Sequence, residues 1–224
     1  EQLHSNFRSA MSYLMEKRRD QFPDEKQLNN EREVASSIRS NSVTQLPELL
    51  IKLEENLEKN NIKVHWAETD LEANNIVYQI LKDANAKTVV KGKSMVTEEI
   101  ELNEFLDNKG IEILETDLGE FLVQLANEKP SHIVMPAIHK NRKEISKAFF
   151  DHFPEFPYTE DVDQITQQVR KILRERFRKA DAGISGVNFA VAETGTLCLV
   201  ENEGNGRMCT TAPPIHIAVT GIEK

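Results

Sequence analysis

With 224 residues, 39% hydrophobic and 29% charged, the chain can bury a core without disulfides or metals and is too apolar for disorder. A net charge of −9 supplies no basic field for DNA or RNA, so no nucleic-acid partner is expected. No apolar run reaches the roughly 18 residues of a membrane span, and residues 1–12 lack the basic and apolar regions of a signal peptide.

Cys198 and Cys209 are the two cysteines, too few for a disulfide framework or a four-cysteine cluster, and a reduced cytoplasmic setting is the default. The chain opens on Glu1 without Met and stops at Lys224, just after a strand-like run, as expected for a piece of a longer protein. No glycine precedes Gly92, whereas six of the nine lie between Gly183 and Gly221, separating a helical front from a loop-rich end.

In chain order, Leu3, Phe7, Ala10, Met11 and Leu14 recur at helical spacing, as do Leu46, Leu49, Leu50, Leu53 and Leu57. Residues 31–42 form a polar helix between them, so residues 1–60 are expected to be a helical extension and 61–224 an α/β domain. Strands are expected at 62–66, 88–91, 111–114 and 132–135. Helices start at the capping pairs Thr69/Glu72, Asp117/Glu120 and Asn141/Glu144, and one further helix covers 96–106. A Pro-rich loop at 154–158 leads to a long basic helix over 160–180, with Arg170, Lys171, Arg174, Arg176, Arg178 and Lys179. Runs 187–192, 196–200 and 215–220 close the chain as strands joined by Gly/Asn turns. Alternating strands and helices predict an α/β fold with a mostly parallel sheet and helices on both faces.

Ligands of open parallel sheets bind at the carboxyl ends of the strands. That rule selects Lys91, Gly92, Lys93 and Ser94, where glycine admits close approach, Ser94 caps the next helix and Lys93 adds positive charge. The spacing is not that of a Walker A loop, and a plain strand-to-helix turn with solvated lysines explains it equally. A second constellation, Asn188 through Thr196, holds Glu193 beside Thr194, Gly195 and Thr196. There Glu193 is the candidate base or nucleophile, and a turn cap is the plainer alternative. Arg207, after Gly204 and Gly206, is a candidate carboxylate grip on a hairpin turn. The six histidines show no metal-ligand spacing, so no metal site is expected; only His139 falls in a strand-end loop.

Two stretches go further. Residues 91–100 (KGKSMVTEEI) resemble the lysine–serine turn of the lactate utilisation (LUD) domain family, and residues 183–196 (GISGVNFAVAETGT) resemble that family's signature near its end. Residues 204–207 (GNGR) and the turn at 213–216 (PPIH) follow the same pattern in the same order, and the long helical front suits the family's B-type members. The resemblance implies a NagB/RpiA/CoA-transferase-like fold and a place among sister subunits of a system oxidising L-lactate to pyruvate. It also implies two [4Fe–4S] clusters in a ferredoxin-like region beyond this chain, and none within it. The leading expectation is therefore a domain that binds a small anionic ligand between Lys91, Lys93, Ser94, Glu193, Thr194 and Thr196. The rivals are a self-sufficient isomerase or acyl-transferase using Glu193, and a purely structural docking domain.

Overall fold

Polar caps decide where the helices begin. A computed structural model of the chain describes residues 2–128 and 136–224. Asp24 accepts from the Lys26 and Gln27 N–H groups to start α2 (Glu25–Thr44), which follows α1 (Gln2–Gln21) and precedes α3 (Leu46–Lys59). Thr69 caps α4 (Asp70–Asp83), while Glu72 reaches back to the Glu68 N–H at 2.8 Å. Asp117 caps α7 (Leu118–Leu125), and Asn141 and Glu144 form a reciprocal capping box at α8 (Arg142–His152). Asp161 caps α9 (Val162–Lys179), the predicted basic helix.

The sheet takes the order β2-β1-β3-β6, all parallel: β1 (Thr88–Lys91), β2 (Glu112–Glu115), β3 (Ala182–Ser185) and β6 (His216–Ala218). β4 (Phe189–Val191) and β5 (Thr196–Cys198) make a separate antiparallel hairpin. Strand periodicity sends Val89, Ile113 and Ile184 to one face, where they meet Val77 and Leu81 of α4 and Leu102 and Leu106 of α6 (Leu102–Asp107). Each such aliphatic side chain contributes about 1.5–3 kcal/mol on full burial. Leu114 turns the other way, against Phe121 of α7, Phe149 of α8 and Val169 of α9. Val90 meets Phe177 of α9 and Cys209 of α10 (Asn205–Thr211) on that same side. Helices therefore flank both faces, as the α/β expectation requires, and the three N-terminal helices precede this unit.

Four expectations need correction or fall outside. Residues 62–66 are not a strand: Ile62 is bound to the Leu57 carbonyl at 3.0 Å, and Trp66 donates to Glu54 Oε1 at 2.8 Å. This segment lies along α3 and pairs with no described strand, so its β-propensity has no sheet to fill. The single helix over 96–106 is two, α5 (Met95–Glu99) and α6, broken where Glu101 adopts the left-handed region at φ 50°. The break lets α5 deliver Thr97 beneath Lys91 while α6 turns Leu102 and Leu106 into the core. The turn expected at 204–207 is instead the start of α10, and β3, unforeseen, is the strand beside β1. The strand expected at 132–135 lies outside the described residues.

Glycine makes β3 possible. A Cβ on Gly183 would fall 1.9 Å from the Cys209 carbonyl oxygen, so α10 crosses directly on the backbone of β3.

Candidate functional site

The chain leaves β1 for its neighbour β2 on one side and later returns as β3 on the other. This reversal is where doubly wound sheets open a crevice at their carboxyl ends. Lys91, the last residue of β1, is fully buried, and its Nζ lies 2.8 Å from Oε1 of Glu115, its register partner at the end of β2. Lys91 also donates to Thr97 Oγ1 at 3.2 Å, and Asn103 of α6 donates to the same Glu115 oxygen at 2.6 Å. A buried ion pair held this way is rigid, because separating it leaves an uncompensated charge in a poorly polarisable interior.

Glu120 completes the cluster. It sits in the first turn of α7, where helical side chains lean back toward the strand end, and only 2% of it is exposed. Lys93 Nζ lies 3.3 Å from Glu120 Oε1, yet neither Glu120 oxygen accepts a well-formed hydrogen bond from a described donor, and its nearest carboxyl neighbour is Glu115. Burial first, and the neighbouring Glu115 second, push the Glu120 carboxyl up to about 8, outweighing the pull of Lys91 and Lys93. Lys93 is the outward member, with 29% of its side chain exposed. Beyond it stands Glu203, whose carboxyl is raised by burial and by Asp117. Behind the cluster, Thr116 donates to the Lys91 carbonyl at 2.9 Å and lies 3.4 Å from the Cys209 sulfur. Burial pushes the Cys209 thiol up to about 11, which keeps it protonated and a poor nucleophile.

The residues selected from sequence divide into two places. Lys91, Lys93 and Ser94 gather at the carboxyl end of β1, where Ser94 accepts from the Thr97 N–H at 3.3 Å. α5 has only five residues, so the charge there comes from Lys93. Asn188, Glu193, Thr194, Gly195 and Thr196 belong to the β4–β5 hairpin. Asn188 closes its open end by accepting from the Val200 N–H at 2.8 Å. At the tip, Asn56 of α3 donates to the Ala192 carbonyl at 2.8 Å and Asn60 to the Thr194 carbonyl at 2.9 Å. Gly195 holds φ 63° there, and a Cβ on it would lie 2.4 Å from the Asn56 backbone. The Glu193 side chain is 65% exposed and faces Lys52 of α3 at 3.5 Å; its own backbone N–H first, and Lys52 second, hold its carboxyl below the ordinary range. Arg207 lies on the outer side of α10, 3.7 Å from Glu201.

Glu115, Glu120, Thr97 and Asn103 were not selected from the sequence as site residues. Glu120 drew notice only as a helix-capping residue, whereas the capping itself is done by Asp117, which accepts from the Gly119 and Glu120 N–H groups. Its position three residues past a strand-end Asp was the available signal. A cavity of about 220 Å³ lies elsewhere, at the amino ends of β1 and β2, between apolar walls and the Arg176–Glu112 pair.

Cys198 and Cys209 supply two of the four thiolates a [4Fe–4S] cluster takes, so this chain's own residues do not fit one. No group of three or more metal-ligating side chains occurs among the described residues, and no described helix is long and apolar enough to cross a membrane.

Comparison with known proteins places these features in a family. The LUD domain model matches residues 50–224, from within α3 to the last residue, and the chain belongs to the LUD domain family. Similar relatives include the "Uncharacterized electron transport protein YkgF" of Escherichia coli (strain K12), 45% identical over 197 residues, covering 86% of this chain and 40% of that protein. The lactate utilization protein B of Bacillus cytotoxicus is 45% identical over 193 residues, covering 86% of this chain and 41% of that protein. The protein of the same name from Bacillus cereus (strain AH820) matches to the same extent. The chain thus spans about two fifths of the length of these relatives. No solved structure matches.

Proposed function

We propose that this chain is the ligand-binding α/β part of a lactate-utilisation protein, and that Lys93 receives a small carboxylate of the lactate or pyruvate class. The observation that carries this reading is the Lys93–Glu120 pair. A partly exposed lysine stands beside a buried acid–base cluster, at the carboxyl ends of β1 and β2 where the sheet reverses. Lys93 supplies the charge for the carboxylate, and Glu120 is the proton-exchanging group beside it. Lys91, fixed by Glu115, Thr97 and Asn103, positions both. Glu193, paired with Lys52 on the hairpin tip, orients that tip on α3 and leaves the proton chemistry to Glu120. The names of the relatives, lactate utilization protein B and an electron transport protein, support the assignment to lactate oxidation.

The electrons of that oxidation leave through partners. Two [4Fe–4S] clusters are placed in sequence beyond this chain, and sister subunits in the cytoplasm complete the system. The N-terminal helices suit docking of such a subunit: α2 buries none of its residues, and Tyr13, Met15, Val34 and Ile38 are exposed.

The test is a thermal-shift titration with L-lactate, pyruvate, phosphate, nucleotides and acyl-CoA, repeated on Lys93→Ala. A ligand at a hundredfold its Kd stabilises by about 2.7 kcal/mol, which raises Tm by roughly 5–10 °C for a chain of this size. A shift with L-lactate or pyruvate that Lys93→Ala removes supports the site. No shift with either, or one that Lys93→Ala leaves intact, overturns it. A shift with acyl-CoA alone, with turnover lost in Glu193→Gln, restores the acyl-transferase reading.

A further inference from the structure

The Lys93–Glu120 pair presents a conflict that an anionic ligand must resolve. Lys93 is already engaged with a carboxyl at 3.3 Å, and that carboxyl is 3% exposed on its side chain. An incoming carboxylate competes for the same ammonium. It also adds a negative charge beside a group that already faces Glu115 from β2, with Lys91 from β1 and Lys93 from the β1–α5 turn as its positive neighbours. Glu203 is near enough to act on both Lys93 and Asp117, so further acidic charge surrounds the same ammonium. Glu120 has no described hydrogen-bond donor to keep it ionised once Lys93 is drawn away. A bare carboxylate in such surroundings is far costlier than a neutral carboxyl.

We propose that binding of a carboxylate at Lys93 requires Glu120 to be protonated, so that at alkaline pH each anion enters the site together with a proton. The inference rests on the anion-binding reading of this site and adds its regulation by pH. No bond to carbon is made or broken: the ligand replaces one Glu120 oxygen at Lys93 Nζ, and a proton from solvent joins Glu120. The free site already holds that proton over part of the pH range, since the Glu120 carboxyl is pushed up to about 8 by burial and by Glu115. Uptake is therefore small near pH 6.5 and approaches one proton per ligand by about pH 9, and above about pH 8 affinity falls tenfold per pH unit.

The experiment is calorimetric titration of the chain with L-lactate and with pyruvate, at pH 6.5 and 8.5, each in two buffers of different ionisation heat. The dependence of the observed heat on the buffer counts the protons and needs no variant. The expected result is a count near zero at pH 6.5 and well above one half at pH 8.5. In Glu120→Gln the count at pH 8.5 falls to zero and affinity becomes flat between pH 7 and 9. Binding with no proton uptake at pH 8.5, or uptake that persists in Glu120→Gln, overturns the coupling and leaves the binding site standing. Absence of binding by both ligands at both pH values overturns the site and the coupling together.

Discussion

Glu120→Gln also tests the buried cluster without any ligand. The parent holds a carboxyl raised from 4.5 to about 8, so between those values the folded state carries a proton that the unfolded state has released. Folding stability falls wherever the native state binds more protons, by up to about 1.36 kcal/mol per pH unit for one proton. The contribution is full below about pH 4.5 and lost as pH rises through about 8. Three and a half units at that slope set a ceiling of about 5 kcal/mol, and water reaching the partly open mouth of the site lowers the realised loss to a few kcal/mol. Gln has nearly the shape of the protonated acid and does not titrate. Parent and variant should therefore have similar urea midpoints at pH 5, and the variant should be the more stable by a few kcal/mol at pH 9. Urea unfolding of both from pH 5 to 9 reads the difference directly, with the slope m checked for constancy. A difference that stays flat across that range, or one that favours the parent at high pH, refutes the assignment of the proton to Glu120.

Lys91→Met leaves Glu115 buried without its partner and should cost about 3–5 kcal/mol in thermal or urea unfolding; adding Glu115→Gln should recover most of that loss. Gly183→Ala drives a methyl into the Cys209 carbonyl and should lower stability by about 1–3 kcal/mol or more, read as a fall in Tm. Asp181 accepts from the Lys87 and Thr88 N–H groups at 2.9 Å each and from Thr88 Oγ1 at 2.8 Å, and the backbone bonds above all hold its carboxyl below the ordinary range. Its stabilisation is present above the ordinary carboxylate pKa and is lost as pH falls through the lowered one. Asp181→Asn should flatten the acid limb of the Tm–pH curve below about pH 4, and an unchanged limb would contradict the assignment.

The parallel alternation and most helix starts were legible because caps and apolar runs are local signals. Thr69, Asp117 and Asn141 mark helix starts by side chains that bond their own first turn, and a sequence shows that directly. β3 was hidden because Ala182, Gly183 and Ser185 have little β-propensity and leave Ile184 as its one strong strand former; pairing on both sides with β1 and β6 makes it a strand, and Gly183 lets α10 cross on it. Residues 62–66 erred in the opposite direction, with good strand residues and no strand to pair. In the site, the ammonium-bearing turn was visible, whereas its acids required a register. TVVK and EILE are alike, two apolar pairs each ended by a charge. Only parallel pairing of residue 88 with 112 puts Lys91 opposite Glu115.

The most recognisable motif, at the hairpin tip, answers first to a demand of the backbone. Residues 192–195 meet α3 through four carbonyl groups, those of Ala192, Glu193, Thr194 and Gly195, which take the Asn56 and Asn60 amides. Gly195 is then required twice, for its positive φ and for the absence of a side chain against Asn56. A demand that strict on the backbone accounts for a Thr-Gly-Thr sequence without any chemistry at Glu193. The demands at Lys91, Glu115 and Glu120 are of another kind. A fold gains nothing by sealing one lysine and two glutamates together at a strand end, since apolar residues of similar volume are often as stable or more so there. Under the proposed function, what the buried charges supply is a proton next to a partly exposed ammonium. That arrangement is useful where an acid must be bound and released, and it stands at the crevice that this sheet topology opens.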